Sequence, residues 1–113
     1  MIKQLPNKPQ HYLGELENCH WIEGTKDDII YGYVAIKQAD ETANIHMEII
    51  KWSHNIMREA LIDWENVKGL CKHLGIKTIF VPGQQEIDST WTKFVKLFGF
   101  SDIEQILIAK QEI

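Results

Sequence analysis

The chain has 113 residues, of which 44% are apolar and 25% charged, and its formal net charge is −4. This size and composition are typical of one folded domain and unlike the low hydrophobicity and high charge of disordered chains. Acidic and basic residues are interleaved, so the sequence contains no basic stripe that could lie along a nucleic-acid backbone. No apolar run approaches the ~20 residues that cross a bilayer, and the N-terminus lacks a signal-peptide pattern. We therefore expect a cytoplasmic protein that binds neither nucleic acid nor membrane.

The cysteines and histidines form no recognisable ligand pattern. Cys19 and Cys71 are far apart and follow neither a Cys-x-x-Cys nor a Cys/His spacing, so we expect free thiols rather than a disulfide. A tetrahedral metal site would have to be assembled wholly from distant segments. The sequence therefore predicts no metal site.

The first half of the chain predicts antiparallel strands. Residues 1–18 are polar and contain two prolines, so they are expected to be irregular or shortly extended. Residues 19–24 and the β-rich run 29–36 flank the turn-forming sequence Thr-Lys-Asp-Asp, which predicts a hairpin. Residues 44–51 alternate between two faces, and this alternation predicts a third antiparallel strand.

One long amphipathic helix is predicted over residues 55–74. Ser53 or Asn55 can cap its start, and Gly75 follows its end at a position that favours a left-handed residue. Acidic residues, Asp63 among them, fall outside the apolar face. The apolar residues recur at three- and four-residue spacing and are Met57, Ala60, Leu61, Trp64, Val67, Cys71 and Leu74.

The second half predicts alternating strands and helices. Residues 77–81 are almost continuously apolar, as expected of a central strand that is buried on both faces. A short helix capped by Asp88 or Ser89 is expected to end at Gly99, and residues 103–109 predict a final strand. Strand–helix–strand connections place the two connected strands parallel to each other as neighbours. The predicted fold class is therefore α/β, a mixed sheet with antiparallel N-terminal strands and a βαβαβ C-terminal half. The inward residues of the short helix are Trp91, Phe94, Val95 and Phe98.

Residues 45–101 resemble the core of the GNAT superfamily of N-acetyltransferases. The resemblance rests on Ile-His-Met-Glu-Ile at 45–49, on Leu-Cys-Lys-His-Leu-Gly-Ile-Lys-Thr-Ile at 70–79, and on Trp-Thr-Lys-Phe-Val-Lys-Leu-Phe-Gly-Phe at 91–100. It implies a single GNAT-like domain over residues 1–113, in which residues 45–101 form an acetyl-CoA-binding core. The chain is similar to small, minimised versions of this fold that bacteriophages encode.

The resemblance implies acetyl-coenzyme A as the cofactor, with its pyrophosphate at the start of the long helix. The glycines of the family's phosphate-binding turn are absent from residues 52–59, which removes the close backbone approach that glycine permits. Val95 stands where the family often has a tyrosine as general acid, and it cannot donate a proton. The N-terminal segment is also too short for the family's usual acceptor wall. The cofactor-binding residues that the resemblance implies are Ile50, Lys51, His54, Asn55, Met57 and Arg58.

Glu48 and His46 are the candidate catalytic residues. They lie two residues apart on one face of the predicted strand, where some acetyltransferases of this family place a glutamate as general base for the acceptor amine. The alternative is a purely structural role in cross-strand pairing, because a carboxylate without a partner acid is a weak sign of catalysis.

Two functions remain open. The first is acyl transfer, whose partners are a coenzyme A ester and an amine acceptor. The second is a non-catalytic GNAT-like module, of the kind found in phage or accessory proteins, that binds a protein partner or a second copy through Trp52 and Ile56. Trp52 lies in the turn and is expected to be partly exposed, although it can instead fold back on its own helix start. Trp64 and Trp91 are expected to pack in the core.

Overall fold

The computed structural model describes residues 1–9, 18–82, 96–104 and 108–113. In this part of the chain, seven strands form one sheet of order β1-β2-β3-β4-β5-β7-β6, and one long helix connects β4 to β5. The mixed sheet confirms the predicted fold class. The elements are β1 Ile2–Leu5, β2 His20–Lys26, β3 Ile29–Ala39, β4 Thr42–Ile49, α1 His54–His73, β5 Thr78–Pro82, β6 Ser101–Glu104 and β7 Ile108–Glu112.

Antiparallel pairing of consecutive strands builds the N-terminal half of the sheet, from β1 through β4. Asp27 and Asp28 connect β2 to β3 with φ angles of 51° and 63°, and a type I′ hairpin turn requires this left-handed pair. The predicted hairpin is therefore confirmed. β1 occupies part of the segment 1–18 that was expected to be irregular or shortly extended.

A β-bulge interrupts the pairing of β2 with β3. Thr25 pairs with Ile30 whereas Gly24 pairs with Gly32, so Tyr31 is the additional residue. A bulge redirects its side chain and shifts the register beyond it. The buried Tyr31 consequently faces α1 and joins the core, and the rest of β3 pairs with β2 one position further along.

β4 and β5 are parallel neighbours, as the helical connection between them predicted. Their pairing is short, since only Thr42 to Asn44 meet Thr78 to Phe80. β4 continues to Ile49 and remains paired on its other side with β3. The two strands therefore diverge after their paired ends.

The end of the chain differs from the prediction of one strand over residues 103–109. Two strands, β6 and β7, pair with each other in antiparallel fashion, and β7 is inserted between β6 and β5. The neighbour of β5 on this side is therefore antiparallel, because the chain reaches the sheet edge first and then turns back. The sequence between the two strands, Gln-Ile-Leu, contains no turn-forming residue that would have indicated the hairpin.

The long helix begins and ends within one residue of its predicted bounds. Ser53 is its N-cap, and its hydroxyl accepts a hydrogen bond from the N–H of Ile56 at 3.2 Å. Gly75 follows the end of the helix with φ of 84°. Both capping residues act as predicted.

Asp63 departs from the prediction, because it is buried on the packed side of α1 at 3% exposure. The hydroxyl of Tyr31 donates to its Oδ2 at 2.6 Å, and the α-ammonium group of Met1 donates to the same oxygen at 2.8 Å. Buried carboxylates require such partners. The apolar periodicity of α1 could not reveal this contact, since the contact depends on the bulge in β3.

The core lies between α1 and one face of the sheet. Trp64 is buried as predicted and meets Phe98 and Phe100 at ring-centroid distances of 6.0 and 5.5 Å. Its Nε1 donates to the carbonyl of Phe98 at 2.8 Å. The inward position of Phe98 is thus confirmed, whereas the predictions for Trp91, Phe94 and Val95 lie outside the described residues.

Candidate functional site

The separation of β4 from β5 produces a gap in the sheet. From Ile45 onward, β4 has no strand partner on its β5 side among the described residues. Backbone N–H and C=O groups on that side meet no strand of the described residues, and a strand edge presents both groups in register to an extended ligand. The N-terminus of α1 follows the end of β4 after four residues, 50–53.

Glu48 and His46 lie on β4 beyond its last pair with β5, and both are partly exposed. They share the sheet face opposite α1, as predicted, because the intervening Met47 packs against the core on the α1 side. In the described structure, no hydrogen bond or ion pair joins them. Burial, and to a smaller extent the nearby ammonium of Lys37, lowers the pKa of His46. This environment favours the neutral imidazole.

Two residues that sequence reasoning missed lie in line with Glu48 across the neighbouring strands. Tyr33 is its direct partner on β3, and Glu23 is the partner of Tyr33 on β2. Burial raises the pKa of the Tyr33 phenol, and the carboxylates of Glu23 and Glu48 raise it further. Glu23, Tyr33 and Glu48 thus form a polar row across three strands. The sequence does not indicate this row, because a hairpin without the bulge would pair Glu23 with Gly32.

The helix start offers fewer backbone donors than the resemblance implied. The N–H of Ile56 is bound by the Ser53 hydroxyl, and that of Met57 by the Ser53 carbonyl at 2.8 Å. Within the described residues, the N–H groups of His54 and Asn55 have no partner. The first turn of α1 also contains no acidic residue.

The side chains near the helix start are mostly exposed, and two of them, Lys51 and Arg58, are cationic. Lys51, His54, Asn55 and Arg58 are exposed, and Met57 is partly buried. Ile50 is 48% exposed, and its N–H donates to the carbonyl of Tyr31 at 2.8 Å, as does that of Lys51 at 3.2 Å. The backbone N–H groups of these two residues are therefore occupied.

Large apolar side chains lie at the same end of the sheet. Trp52 is 49% exposed, in agreement with its predicted exposure, and Ile29 and Ile50 are each 48% exposed. Ile56 is partly buried and packs against the core. An exposed tryptophan beside isoleucines is a composition that protein contacts favour.

Several solved structures superimpose on this fold. The PaiA N-acetyltransferase from Thermoplasma acidophilum, crystallised with coenzyme A, superimposes with a TM-score of 0.63 at 15% identity over 82% of this chain and 60% of that one. A protein assigned to the GNAT acetyltransferases from Desulfovibrio desulfuricans gives 0.65 at 18% identity over 83% and 69%. This chain has a GNAT-like fold. The AtaT–AtaR complex bound to DNA also shares the GNAT-like fold, with a TM-score of 0.56 at 12% identity over 99% and 93%.

The likeness to GNAT proteins is one of structure. No family model matches the sequence, and no curated protein matches it. The chain spans 60% of the length of the PaiA structure. At these low identities, the superpositions establish the GNAT-like fold, and the activity has to be inferred from the site.

The remaining observations concern metal ligands, membrane spans and thiols among the described residues. Across the described ranges, no group of three or more potential ligands is placed to hold a metal ion, and no helix is long and apolar enough to span a membrane. Cys19 and Cys71 form no disulfide, and burial raises the pKa of Cys71 to about 11. Val95, the position of the missing general acid, lies outside the described residues.

Proposed function

We propose that the chain transfers an acyl group from acetyl-coenzyme A to an amine. The observation that carries this proposal is the gap between β4 and β5. It leads directly to a helix start whose first two N–H groups have no partner among the described residues and whose first turn has no acidic residue. Such a helix start favours an anion through its dipole and its orphan donors. A GNAT-like structure crystallised with coenzyme A supports the choice of cofactor.

The pyrophosphate would be bound by a smaller set of backbone groups than the resemblance implied. His54 and Asn55 supply the two N–H donors, whereas those of Ile56 and Met57 are already used by Ser53. The side chains of Lys51 and Arg58 are exposed nearby and add positive charge. Attraction between these charges and the pyrophosphate would thereby compensate for part of the binding that glycines allow by close backbone approach.

Glu48 is the proposed base. Its carboxylate accepts a proton from the acceptor ammonium, and the free amine nitrogen attacks the thioester carbonyl carbon. The C–N bond forms, the C–S bond breaks, and the leaving thiolate takes up a proton from water. His46 lies on the same face in an environment that favours the neutral imidazole, so it can accept the second proton that the nitrogen loses.

Calorimetric titration with coenzyme A tests the proposal. We expect micromolar binding that Arg58→Glu weakens by at least about tenfold, the scale of losing a charged hydrogen bond and adding repulsion. Lys72→Glu is the matched control, because it makes the same charge change on an exposed residue at the other end of α1. Absence of binding at millimolar coenzyme A, or an equal effect of both variants, contradicts the proposal.

A second function is favoured by the exposed side chains at the same end of the sheet. Trp52, Ile50 and Ile29 would form the centre of a contact with a protein partner or a second copy of the chain. One structure of similar fold is the AtaT–AtaR complex. In this alternative, the GNAT-like scaffold is retained without catalysis.

A further inference from the structure

Tyr31 connects the turn before α1 to the middle of that helix. It is the bulge residue of β3 and is 5% exposed. Its carbonyl accepts hydrogen bonds from the N–H groups of Ile50 and Lys51, and its hydroxyl donates to Asp63 at 2.6 Å. Asp63 lies about 14 Å along the helix from its first residue, at 1.5 Å per residue. One residue therefore holds both the chain that leads into α1 and the helix itself.

The side chain of Tyr31 reaches α1 across Gly24 of β2. A Cβ at Gly24 would lie 2.6 to 2.9 Å from three atoms of this side chain, so any residue other than glycine would require the ring to move. The partner of the hydroxyl is itself held, since Oδ2 of Asp63 also accepts a hydrogen bond from the α-ammonium group of Met1. The space over Gly24 and the carboxylate of Asp63 together fix where the ring lies.

The turn before α1 comprises the four residues 50–53. The pairing of β3 with β4 ends at Gly32 and Ile49. Beyond this pair, the N–H groups of Ile50 and Lys51 both bind the Tyr31 carbonyl, at 2.8 and 3.2 Å. Ser53 directs its hydroxyl and its carbonyl to N–H groups in the first turn of α1. The first half of the turn is thus bound to the sheet through Tyr31, and its last residue is bound to the helix.

We infer that Tyr31 is a positioning residue of the proposed pyrophosphate site, and this inference rests on the function proposed above. The backbone donors of that site belong to His54 and Asn55, which directly follow the turn. Because Tyr31 fixes the turn through its carbonyl and α1 through its hydroxyl, it keeps these donors in one place relative to the end of β4. Donors that are already in place bind an anion without the cost of ordering them. Tyr31 is buried in the core, so it acts through the turn.

The test compares Tyr31→Phe with Ile79→Val, which removes one buried methyl group from β5. Calorimetric titration of the full chain with coenzyme A should show an affinity about tenfold lower for Tyr31→Phe, because affinity falls with the fraction of chains whose donors are in place. Ile79→Val weakens the core alone and should bind coenzyme A as the unaltered chain does. Circular dichroism at the titration temperature establishes that each variant is folded.

Asp63→Asn is a milder second variant, because the asparagine retains an oxygen that can accept the bond from Tyr31. Its affinity for coenzyme A should lie between those of Tyr31→Phe and the unaltered chain, and this comparison remains decisive should Tyr31→Phe fail to fold. An affinity of Asp63→Asn equal to that of the unaltered chain then contradicts the inference.

Amide hydrogen exchange of the free chain, followed by NMR, separates positioning from overall stability. In Tyr31→Phe, the amides of Ile50 and Lys51 should exchange about tenfold faster, while amides within the paired part of β3 and β4 keep more of their protection. Ile79→Val should not affect the turn selectively. Equal losses of coenzyme A affinity in Tyr31→Phe and Ile79→Val, or unchanged exchange at Ile50 and Lys51, overturn the inference. Absence of coenzyme A binding by the unaltered chain refutes the proposed function instead.

Discussion

The hydroxyl of Tyr31 donates a 2.6 Å hydrogen bond to Oδ2 of the buried Asp63. Tyr31 reaches Asp63 because it is the bulge residue of β3. The same bulge sets the register that places Glu23 opposite Tyr33. One additional residue in a hairpin therefore determines a core contact on one face of the sheet and the polar row on the other.

Replacing Tyr31 by Phe should reduce the free energy of unfolding by about 1.5–3 kcal/mol, because it removes a hydrogen bond to a buried carboxylate. Urea denaturation monitored by circular dichroism measures the change, with an unaltered slope expected. Tyr33→Phe is the matched control, since its hydroxyl has no partner in the described structure, and should change stability little. Equal losses in the two variants contradict the assignment.

Gly32 and Gly69 should respond in opposite directions to substitution by Ala. A Cβ at Gly32 would lie 2.6 Å from the carbonyl oxygen of Glu48, whereas a Cβ at Gly69 meets nothing within 4 Å. Gly32→Ala should therefore destabilise by about 1–3 kcal/mol through overpacking. Gly69→Ala should stabilise by up to about 1 kcal/mol, since it is in the interior of α1. Thermal unfolding distinguishes the two, and a stable Gly32→Ala variant would show that β4 can shift.

If Glu48 is the base, Glu48→Gln should lower kcat by about 10²-fold or more, the usual scale for the loss of general-base catalysis. Coenzyme A affinity should stay unchanged, because Glu48 is on β4 and outside the proposed pyrophosphate site at the start of α1. Steady-state kinetics and calorimetry measure the two quantities. Glu41→Gln, an exposed carboxylate paired with Lys77, is the control. An unaltered rate assigns Glu48 to a structural or binding role.

If the turn after β4 is a contact surface, Trp52→Ala should abolish association with a partner or with a second copy and leave the fold intact. Sedimentation velocity over a concentration series tests self-association, and circular dichroism checks the fold. Ile62→Ala is the control, because Ile62 is also a large apolar residue, 61% exposed, on a different surface. Normal association of the Trp52→Ala variant contradicts the hypothesis of a contact surface.

His46 should make stability decrease in mild acid. Its pKa is lowered in the folded chain from an ordinary value of 6.5, so the unfolded chain binds the proton more readily. The stabilising contribution is complete above the unfolded pKa and is lost as pH falls below it toward the folded pKa. Urea titrations at pH values across this window should show a smaller loss for His46→Gln than for the unaltered chain. His73→Gln, at the exposed end of α1, should retain the full loss.

The sequence predicted well those elements whose signals are local. The helix bounds depend on the Ser53 cap, the spacing of its apolar residues and Gly75, and all three act within a few residues. The central position of β5 followed from its continuous apolar composition. The parallel pairing of β4 with β5 followed from the helix that connects them.

The elements that sequence reasoning missed depend on distant contacts. Asp63 is acidic and interrupts the apolar pattern, so only the position of Tyr31 on another element shows that it is buried. Glu23 and Tyr33 become part of the candidate site through a one-residue bulge, which has no distinctive sequence. The hairpin of β6 and β7 lacks a turn signal. Each case requires a register that local propensity does not encode.

The insertion of β7 between β5 and β6 has a consequence for the protein during its synthesis. The edge of β5 that β7 covers is complete long before β7 has been made, since the contact between Thr78 and Glu112 joins residues 34 positions apart. Contacts of this separation form slowly because the loop must close first. A nascent chain therefore exposes an apolar strand edge on which other chains can pair. Protection of this edge on the ribosome should govern how much protein folds correctly in the cell.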